Sequence, residues 1–338
     1  MAKPTIKRDV PLDNLFFSTP KEHLKLINSG CETLNCVCGG GWPFGRIVNI
    51  VGDKSTGKTL LAIEALANFH AEHPEGVSTY CETEAAFDDE YAGALGLDMR
   101  KVGRAECSTV EELFDDMVAF IAKVGTNGHG LYIVDSLDAL SDKAEQSRGI
   151  ADNTYGATKP KQLGQLFRRL VKPLEKSNVC VIIISQVRDA IGVTFGDKHT
   201  RSGGRALDFY ASIVIWLANQ GQIKKTVSKI TRTIGVTIRA KTKKNKIGLP
   251  FRECTFDILF GYGIDDIGSS LEFLKAAGEL DKWDIGSTDQ AIAAYKKNFS
   301  AMSHEQQAEE RRNLSEIVRT VWFKIERSFL PKKGKYQV

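Results

Sequence analysis

The sequence predicts an α/β fold in which a mostly parallel central sheet lies between layers of helices. Short, nearly continuous apolar runs rich in Val and Ile recur along the chain, and helical patterns separate the first four of them. Parallel strands that are buried on both faces have this composition, and each needs a crossover helix to reach the next strand. Apolar residues make up 42% of the chain and charged residues 26%, which is the balance of a globular protein.

The individual elements follow from the two hydrophobic periodicities. Strands are predicted at Arg46–Val51, Val77–Glu82, Leu131–Ser136, Val179–Gln186, Ser212–Leu217, Val236–Lys241 and Glu253–Phe260. Helices are predicted between these strands at Lys58–Glu72, Val110–Val124 and Gln162–Ser177. A short helix is expected at residues 20–30, where Gly30 is the stop signal. A last helix is predicted over residues 314–329 from apolar residues at three- and four-residue spacing.

Three regions differ in their pattern. Residues 1–38 are predicted to form an N-terminal arm, residues 39–268 the α/β core, and residues 269–338 a C-terminal helical region. The apolar runs are far shorter than the roughly 20 residues needed to cross a bilayer, and the N-terminus lacks the apolar segment of a signal peptide. We therefore expect a cytoplasmic protein without membrane contact.

A nucleotide-binding loop is predicted between the first strand and the first long helix. The segment GDKSTGKT at residues 52–59 matches G-x-x-x-x-G-K-[ST] in full. Its glycines permit the tight turn that points backbone N–H groups at phosphates, its lysine adds a positive charge, and its threonine hydroxyl is a magnesium ligand. The sequence thus predicts ATP and Mg²⁺ as cofactors, with the nucleotide held by Gly52, Asp53, Lys54, Ser55, Thr56, Gly57, Lys58, Thr59 and Leu60.

Polar residues at the ends of other strands predict the rest of an ATP-hydrolysing site. Asp135 ends an apolar strand, where a carboxylate holds the metal's water shell opposite Thr59. Glu82 and Glu84 are the candidates for orienting the attacking water, and their spacing leaves the choice open. Gln186 ends a further strand, where an amide is able to sense the terminal phosphate.

Five segments resemble the RecA recombinases in order and spacing. They are GGGWPFGRIVNIVGDKSTGKTLLAIEALA, ETEAAFDDEYAGALGLD, LYIVDSLDALSDKAE, IGVTFGDKHTRSGGRALDFYAS and KKNKIGLPFRECTFDILFGYGI. The likeness covers about residues 39–268 and implies a RecA-like P-loop ATPase core. It implies Glu84 as the catalytic glutamate, Gln186 as the γ-phosphate sensor, and Asp88 and Tyr91 at the adenine. It also implies that Lys244 and Lys246 reach the ATP of a neighbouring subunit, where they would assist hydrolysis as an arginine finger does.

Two polar, glycine-containing stretches, residues 142–162 and 187–205, are too long to be simple connectors. Their mixture of basic and apolar residues suits single-stranded DNA, because cations neutralise the backbone while apolar side chains contact the bases. The resemblance implies that Tyr155 and Ile191 wedge between bases. The other DNA contacts that it implies are Asn153, Arg168, Arg188, Gly203, Gly204 and Arg205.

The resemblance implies a DNA-dependent ATPase that forms a helical filament on single-stranded DNA. It also implies a homo-oligomer with ATP at the protomer interfaces, in which residues 1–38 contact the neighbouring protomer. Double-stranded DNA is the partner that it implies for homologous pairing and strand exchange. One alternative is a filament-forming mediator that binds DNA without strand exchange. The absence of a clear counterpart to the long N-terminal helix of RecA favours it, as does the different pattern of residues 270–338. A hexameric helicase motor is a second alternative, but no arginine finger or helicase N-domain is evident.

Overall fold

The structure, a computed structural model, describes residues 24–83, 87–143, 158–189, 199–201 and 204–331. Its strands are β1 (Leu26–Ile27), β2 (Trp42–Pro43), β3 (Ile47–Gly52), β4 (Val77–Glu82), β5 (Val102–Glu106), β6 (Gly130–Asp135), β7 (Val179–Asp189), β8 (His199–Arg201), β9 (Ile213–Val227), β10 (Ile230–Asn245), β11 (Glu253–Leu259) and β12 (Gly263–Ile264). Its helices are α1 (Glu32–Cys38), α2 (Lys58–Glu72), α3 (Asp89–Ala94), α4 (Val110–Val124), α5 (Thr158–Glu175), α6 (Gly204–Tyr210), α7 (Asp266–Ala276), α8 (Asp289–Ser300) and α9 (His304–Phe329).

A ten-stranded sheet runs through the described core in the order β12-β11-β10-β9-β3-β7-β6-β4-β5, with β8 paired to the end of β7. The six neighbours from β9 to β5 are parallel, and β10, β11 and β12 continue the sheet in antiparallel pairing. Because parallel strands point the same way, β3, β4, β6 and β7 end at one edge, here called the carboxyl edge. This arrangement confirms the predicted fold class.

Apolar layers cover both faces of the sheet. On one face Ile50 packs with Leu61 and Phe69 of α2, and on the other face Val51 belongs to the layer that contains Met117 of α4 and Leu166 of α5. These buried layers explain why the strands read as continuous apolar runs. A third apolar cluster joins α1 to the C-terminal helices α7, α8 and α9.

Helix boundaries were predicted best where local signals mark them. The predicted helices Lys58–Glu72 and Val110–Val124 are confirmed residue for residue as α2 and α4. Thr109 and Glu112 form a capping box that starts α4, since each side chain accepts a hydrogen bond from the other's backbone N–H. The predicted last helix is confirmed within α9, which begins earlier, at a second capping box formed by Ser303 and Gln306.

The helix predicted at residues 20–30 is wrong in its described part. Leu26 and Ile27 form β1, which pairs with Trp42 and Pro43 of β2. The backbones approach so closely there that a Cβ on Gly41, at φ 140°, would come nearer than 3.0 Å to the carbonyl oxygen of Ile27. Burial of Ile27 and Trp42, both fully inaccessible, overrides the helical pattern of the segment.

Two strands extend well beyond their predicted bounds. The predictions Ser212–Leu217 and Val236–Lys241 correspond only to the inner parts of β9 and β10, which have 15 and 16 residues. Their outer parts are polar and exposed, so the apolar pattern that predicted the inner parts is missing there. In the part of the chain that the structure describes, no helix is both long and apolar enough to cross a bilayer.

Candidate nucleotide-binding site

The loop between β3 and α2 has the backbone of an anion cradle. Ser55 and Gly57 adopt positive φ angles of 58° and 81°, which turn the chain so that successive N–H groups face one side. Gly57 is the N-cap of α2 and supplies no side-chain acceptor, so the first N–H groups of α2 have no side-chain cap. Asp53, Lys54 and Ser55 are exposed, whereas Leu60 is buried and anchors the first turn of α2.

Hydrogen bonds within the loop hold this shape. The Thr56 hydroxyl and the Lys58 ammonium both donate to the carbonyl oxygen of Asp53, at 2.8 and 2.7 Å. The Lys58 side chain therefore lies folded over the loop. Gly52 has no room for a side chain, because a Cβ there would clash with the Thr56 hydroxyl.

The predicted metal ligands meet at the carboxyl edge. The Thr59 hydroxyl donates to Asp135 Oδ2 at 2.8 Å, and the Tyr80 hydroxyl donates to the same oxygen at 2.6 Å. Burial raises the pKa of Tyr80, so its phenol stays protonated and remains a donor. A hydroxyl beside a carboxylate is a donor set that Mg²⁺ accepts. Tyr80 was missed by sequence reasoning, since an aromatic residue in a buried strand reads as core.

The two candidate glutamates have different outcomes. Glu82, the last residue of β4, lies directly beside Asp135 of β6 in the sheet register. Its Oε1 accepts the backbone N–H of Phe87 at 2.5 Å, so this carboxylate ties the end of β4 to the start of α3. Glu84 lies outside the described residues, and its assignment stays a prediction.

Gln186 lies beside the phosphate loop. It pairs in register with Gly52, the last residue of β3. Its backbone N–H donates to Asp138 Oδ2 at 3.0 Å, and the Asp138 carbonyl oxygen accepts from Lys159 at 3.0 Å. Asp138 was also missed, because a single acid between Leu137 and Ala139 matches no motif. It connects β7 to the start of α5.

The residues predicted at the adenine lie at α3. Asp88 is its N-cap and accepts the Tyr91 N–H at 2.9 Å. Tyr91 is partly buried against the core, and burial together with the charge of Glu64 on α2 raises its pKa. Both residues therefore lie close to the helix that begins at the phosphate loop.

Lys244 and Lys246 lie toward the opposite edge of the sheet. The backbone N–H of Lys246 donates to Ser212 O, and the N–H of Ser212 donates to Ile47 O, so Lys246 is level with the first residue of β3. Gly52, at the other end of β3, is five residues further along, roughly 17 Å at the usual strand rise. The Lys244 ammonium donates to the carbonyl oxygens of Asp208 and Phe209, at 2.5 and 2.8 Å. These carbonyls end α6, where a cation is favourable.

The predicted DNA-binding residues are described in part. Arg168 is exposed on α5, Arg188 belongs to the end of β7, and Gly204 and Arg205 open α6. Because β6 and β7 end at the carboxyl edge, both predicted loops leave the sheet beside the phosphate loop. The remaining predicted contacts, Asn153, Tyr155, Ile191 and Gly203, lie outside the described residues.

Comparison with known proteins gives consistent similarity over most of the chain. Residues 14–265 match the family model described as the RecA N-terminal domain. A protein named RecA from Thermus thermophilus is 36% identical over 264 residues, which cover 78% of this chain and 75% of that protein. Proteins of the same name from Bacteroides thetaiotaomicron and Arthrospira platensis are 34% and 33% identical over 264 and 262 residues. These alignments cover 76% and 77% of this chain, and 77% and 68% of the two relatives.

Proposed function

Since this chain belongs to the RecA family, we propose that it is an ATP-dependent recombinase that forms filaments on single-stranded DNA. In these filaments ATP lies between protomers, and the filament pairs its strand with homologous double-stranded DNA and exchanges strands. The protein acts in the cytoplasm. The domain division into an arm at 1–38, a core at 39–268 and a helical region at 269–338 is part of the proposal.

One observation carries the assembly part of the proposal, namely the separation of Lys246 from the phosphate loop of its own protomer. A lysine side chain is much shorter than the roughly 17 Å between the two ends of β3. Lys246 therefore cannot reach a nucleotide bound at Lys58 of the same chain. It is able to reach the nucleotide of a neighbour whose carboxyl edge faces it, which makes hydrolysis depend on assembly.

The residues at the carboxyl edge suit MgATP. The loop N–H groups and Lys58 would bind the phosphates, while Thr59 and Asp135 would hold the metal ion and its water shell. Bound Mg²⁺ supplies positive charge that neutralises the phosphate oxygens. Tyr80 orients Asp135 by donating to Oδ2, and Gln186 lies next to Gly52, where it is able to respond to the terminal phosphate. Glu84 orients the attacking water.

A mediator that binds DNA without strand exchange is the second candidate. The observation that favours it is the C-terminal region, where residues 266–329 fold into α7, α8 and α9 and pack on α1 through one apolar cluster. A strand-exchange assay with a homologous duplex separates the candidates. Joint molecules support the recombinase, and filaments that form without joint molecules support the mediator.

The catalytic assignment is tested by replacing Glu84 with Gln. We expect this variant to bind ATP and assemble on DNA normally, while ATP turnover falls by about 100-fold or more, the usual contribution of a positioned base. Glu82→Gln is the matched control, because its amide oxygen still accepts the Phe87 N–H. Steady-state phosphate release measures both. Loss of turnover in the Glu82 variant alone would reverse the assignment.

A further inference from the structure

The outer parts of β9 and β10 form a two-stranded basic ribbon, defined here as residues 222–233. β9 runs parallel to β3, and Leu217 is level with Gly52, so the chain after Leu217 continues beyond the carboxyl edge. The turn of the ribbon begins about ten residues later, at Val227, which is roughly 30 Å further at the usual strand rise. The basic ribbon thus projects from the same edge as the two predicted DNA-binding loops.

The part of the chain that contains the basic ribbon carries only positive charges. Between Asp208 and Glu253 the sequence contains ten lysines and arginines and no acidic residue. Four of these cations, Lys224, Lys225, Lys229 and Arg232, belong to the basic ribbon. Among the described residues none of the four pairs with a carboxylate, and the nearest ion pair along β10 joins Lys241 to Glu253 at the base.

The pairing of the strands places two of the four cations, Lys225 and Arg232, on one face of the ribbon, while Lys224 lies on the other face. Lys225 lies directly opposite Arg232, an arrangement in which like charges destabilise a sheet. Side chains two pairs apart share a face, so Val227 and Ile230, opposite each other at the turn, lie on the face of Lys225 and Arg232. These two apolar side chains are 61% and 55% exposed. On the other face the hydroxyls of Thr226 and Thr231 hydrogen-bond to each other at 2.9 Å.

We propose that the basic ribbon binds duplex DNA, as a contact separate from the two loops. A two-stranded ribbon fits the major groove of B-DNA. The four cations lie along its length, where they neutralise phosphates on both sides of the groove, and the apolar pair at the turn contacts base edges such as the thymine methyl group. The uncompensated Lys225 and Arg232 pair is relieved when DNA binds. The proposal rests on the proposed function for the source of the duplex, which the filament engages during pairing.

The test replaces Lys225 and Arg232 together by Gln. The protein is first assembled on unlabelled oligo-dT with Mg²⁺ and a slowly hydrolysed ATP analogue, and a fluorescein-labelled 30-bp duplex of unrelated sequence is then titrated by anisotropy. Loss of two phosphate contacts should make the slope of log K against log salt shallower by about 1.8, and should weaken binding roughly 60-fold at 0.1 M salt. A Lys123→Gln, Lys297→Gln double variant removes two exposed cations elsewhere and should leave the duplex affinity unchanged.

A second variant tests the turn. Val227→Ser with Ile230→Ser should weaken duplex binding without changing the salt slope, because no cation is removed. Both ribbon variants should melt at the temperature of the unsubstituted protein or above it, because the ribbon lies outside the core and the charge substitution removes a repulsion.

Three results would overturn the proposal. The first is an unchanged salt slope in the Lys225, Arg232 variant, and the second is an equal loss of duplex affinity in the Lys123, Lys297 control. The third is a defect confined to the size of the assembly, which would mean that the basic ribbon contacts a neighbouring copy of the chain. Assembly on oligo-dT is measured before the duplex is added. A protein that does not assemble would therefore contradict the proposed function, and this result is distinct from a failure of the ribbon to bind duplex. The duplex titration is repeated without oligo-dT and nucleotide, and this arm tests the basic ribbon by itself.

Discussion

The phosphate loop rests on a side chain from a distant strand, and Gly57→Ala tests this contact. Gly57 has a φ of 81°, and a Cβ at this position would come nearer than 3.0 Å to Cδ1 of Ile258 on β11. Ile258 is 4% exposed and belongs to the core layer of α2, so it has little room to withdraw. Both the backbone and the packing at this position therefore resist a methyl group.

The free-energy cost of Gly57→Ala has two contributions, one from the backbone and one from packing. A left-handed backbone costs an L-residue about 1–2 kcal/mol. Overpacking against a buried side chain adds about 1–3 kcal/mol. Gly57→Ala therefore destabilises the folded conformation of the loop by about 2–5 kcal/mol in total. If the loop shifts and the core does not, this cost appears as a fall in nucleotide affinity by a factor of roughly 30 to several thousand.

Two control variants isolate these contributions. Gly96→Ala carries the backbone cost alone, because Gly96 has a φ of 93° and open space around its Cβ position. Ile258→Val removes Cδ1 and by itself costs about 0.5–1.5 kcal/mol. In the Gly57→Ala, Ile258→Val double variant the overpacking cost should disappear, which a double-mutant cycle detects as a coupling energy.

The assays are urea unfolding and titration with a fluorescent ATP analogue. For each variant the loss in free energy of unfolding is added to the loss in free energy of nucleotide binding. We expect this total to be larger for Gly57→Ala than for Gly96→Ala, by the overpacking cost. The Gly57→Ala, Ile258→Val double variant should not show this extra loss. If the free-energy changes of the substitutions at Gly57 and Ile258 are strictly additive, the reasoning is refuted, because Ile258 then does not clash with the new methyl group.

Two further predictions concern Lys244 and Asp266. Lys244→Ala should lower DNA-stimulated ATP hydrolysis but spare nucleotide binding by isolated protomers, since Lys244 lies at the end of α6 and away from its own phosphate loop. The control is Lys243→Ala, which removes an exposed cation beside Trp216, and equal turnover in the two variants would count against the assignment. Burial raises the pKa of Asp266 to about 6, so the folded protein binds a proton at this carboxyl more tightly than the unfolded chain does. The free energy of unfolding therefore falls as pH rises from about 4 to 6, where the carboxyl ionises. Asp266→Asn should therefore raise the free energy of unfolding at pH 7–8 by up to about 3 kcal/mol. Urea unfolding at a series of pH values measures this, and a difference between the two proteins that does not grow between pH 4 and pH 7 would contradict it.

Local patterns were enough for the buried part of the fold. The strands beneath the site and the helices α2 and α4 carry apolar periodicity, and α4 also carries its own capping box. These signals act within a few positions of each other and without distant partners. The short strand β5 escaped prediction because Arg104 and Glu106 interrupt its apolar pattern. It forms a strand because β4 offers it an edge to pair with.

The sequence by itself determined the phosphate loop, the parallel sheet and the acid at the end of β6, because each is written in consecutive residues with a fixed local conformation. Only the tertiary structure decided which strand end lies beside which. It brought Tyr80 to Asp135, pressed Ile258 against Gly57 and set Lys246 at the far edge from Lys58. It also turned the polar outer parts of β9 and β10 into a ribbon. These contacts join residues far apart in the chain, and their energies depend on the sheet register and burial rather than on the neighbours of each residue in the sequence.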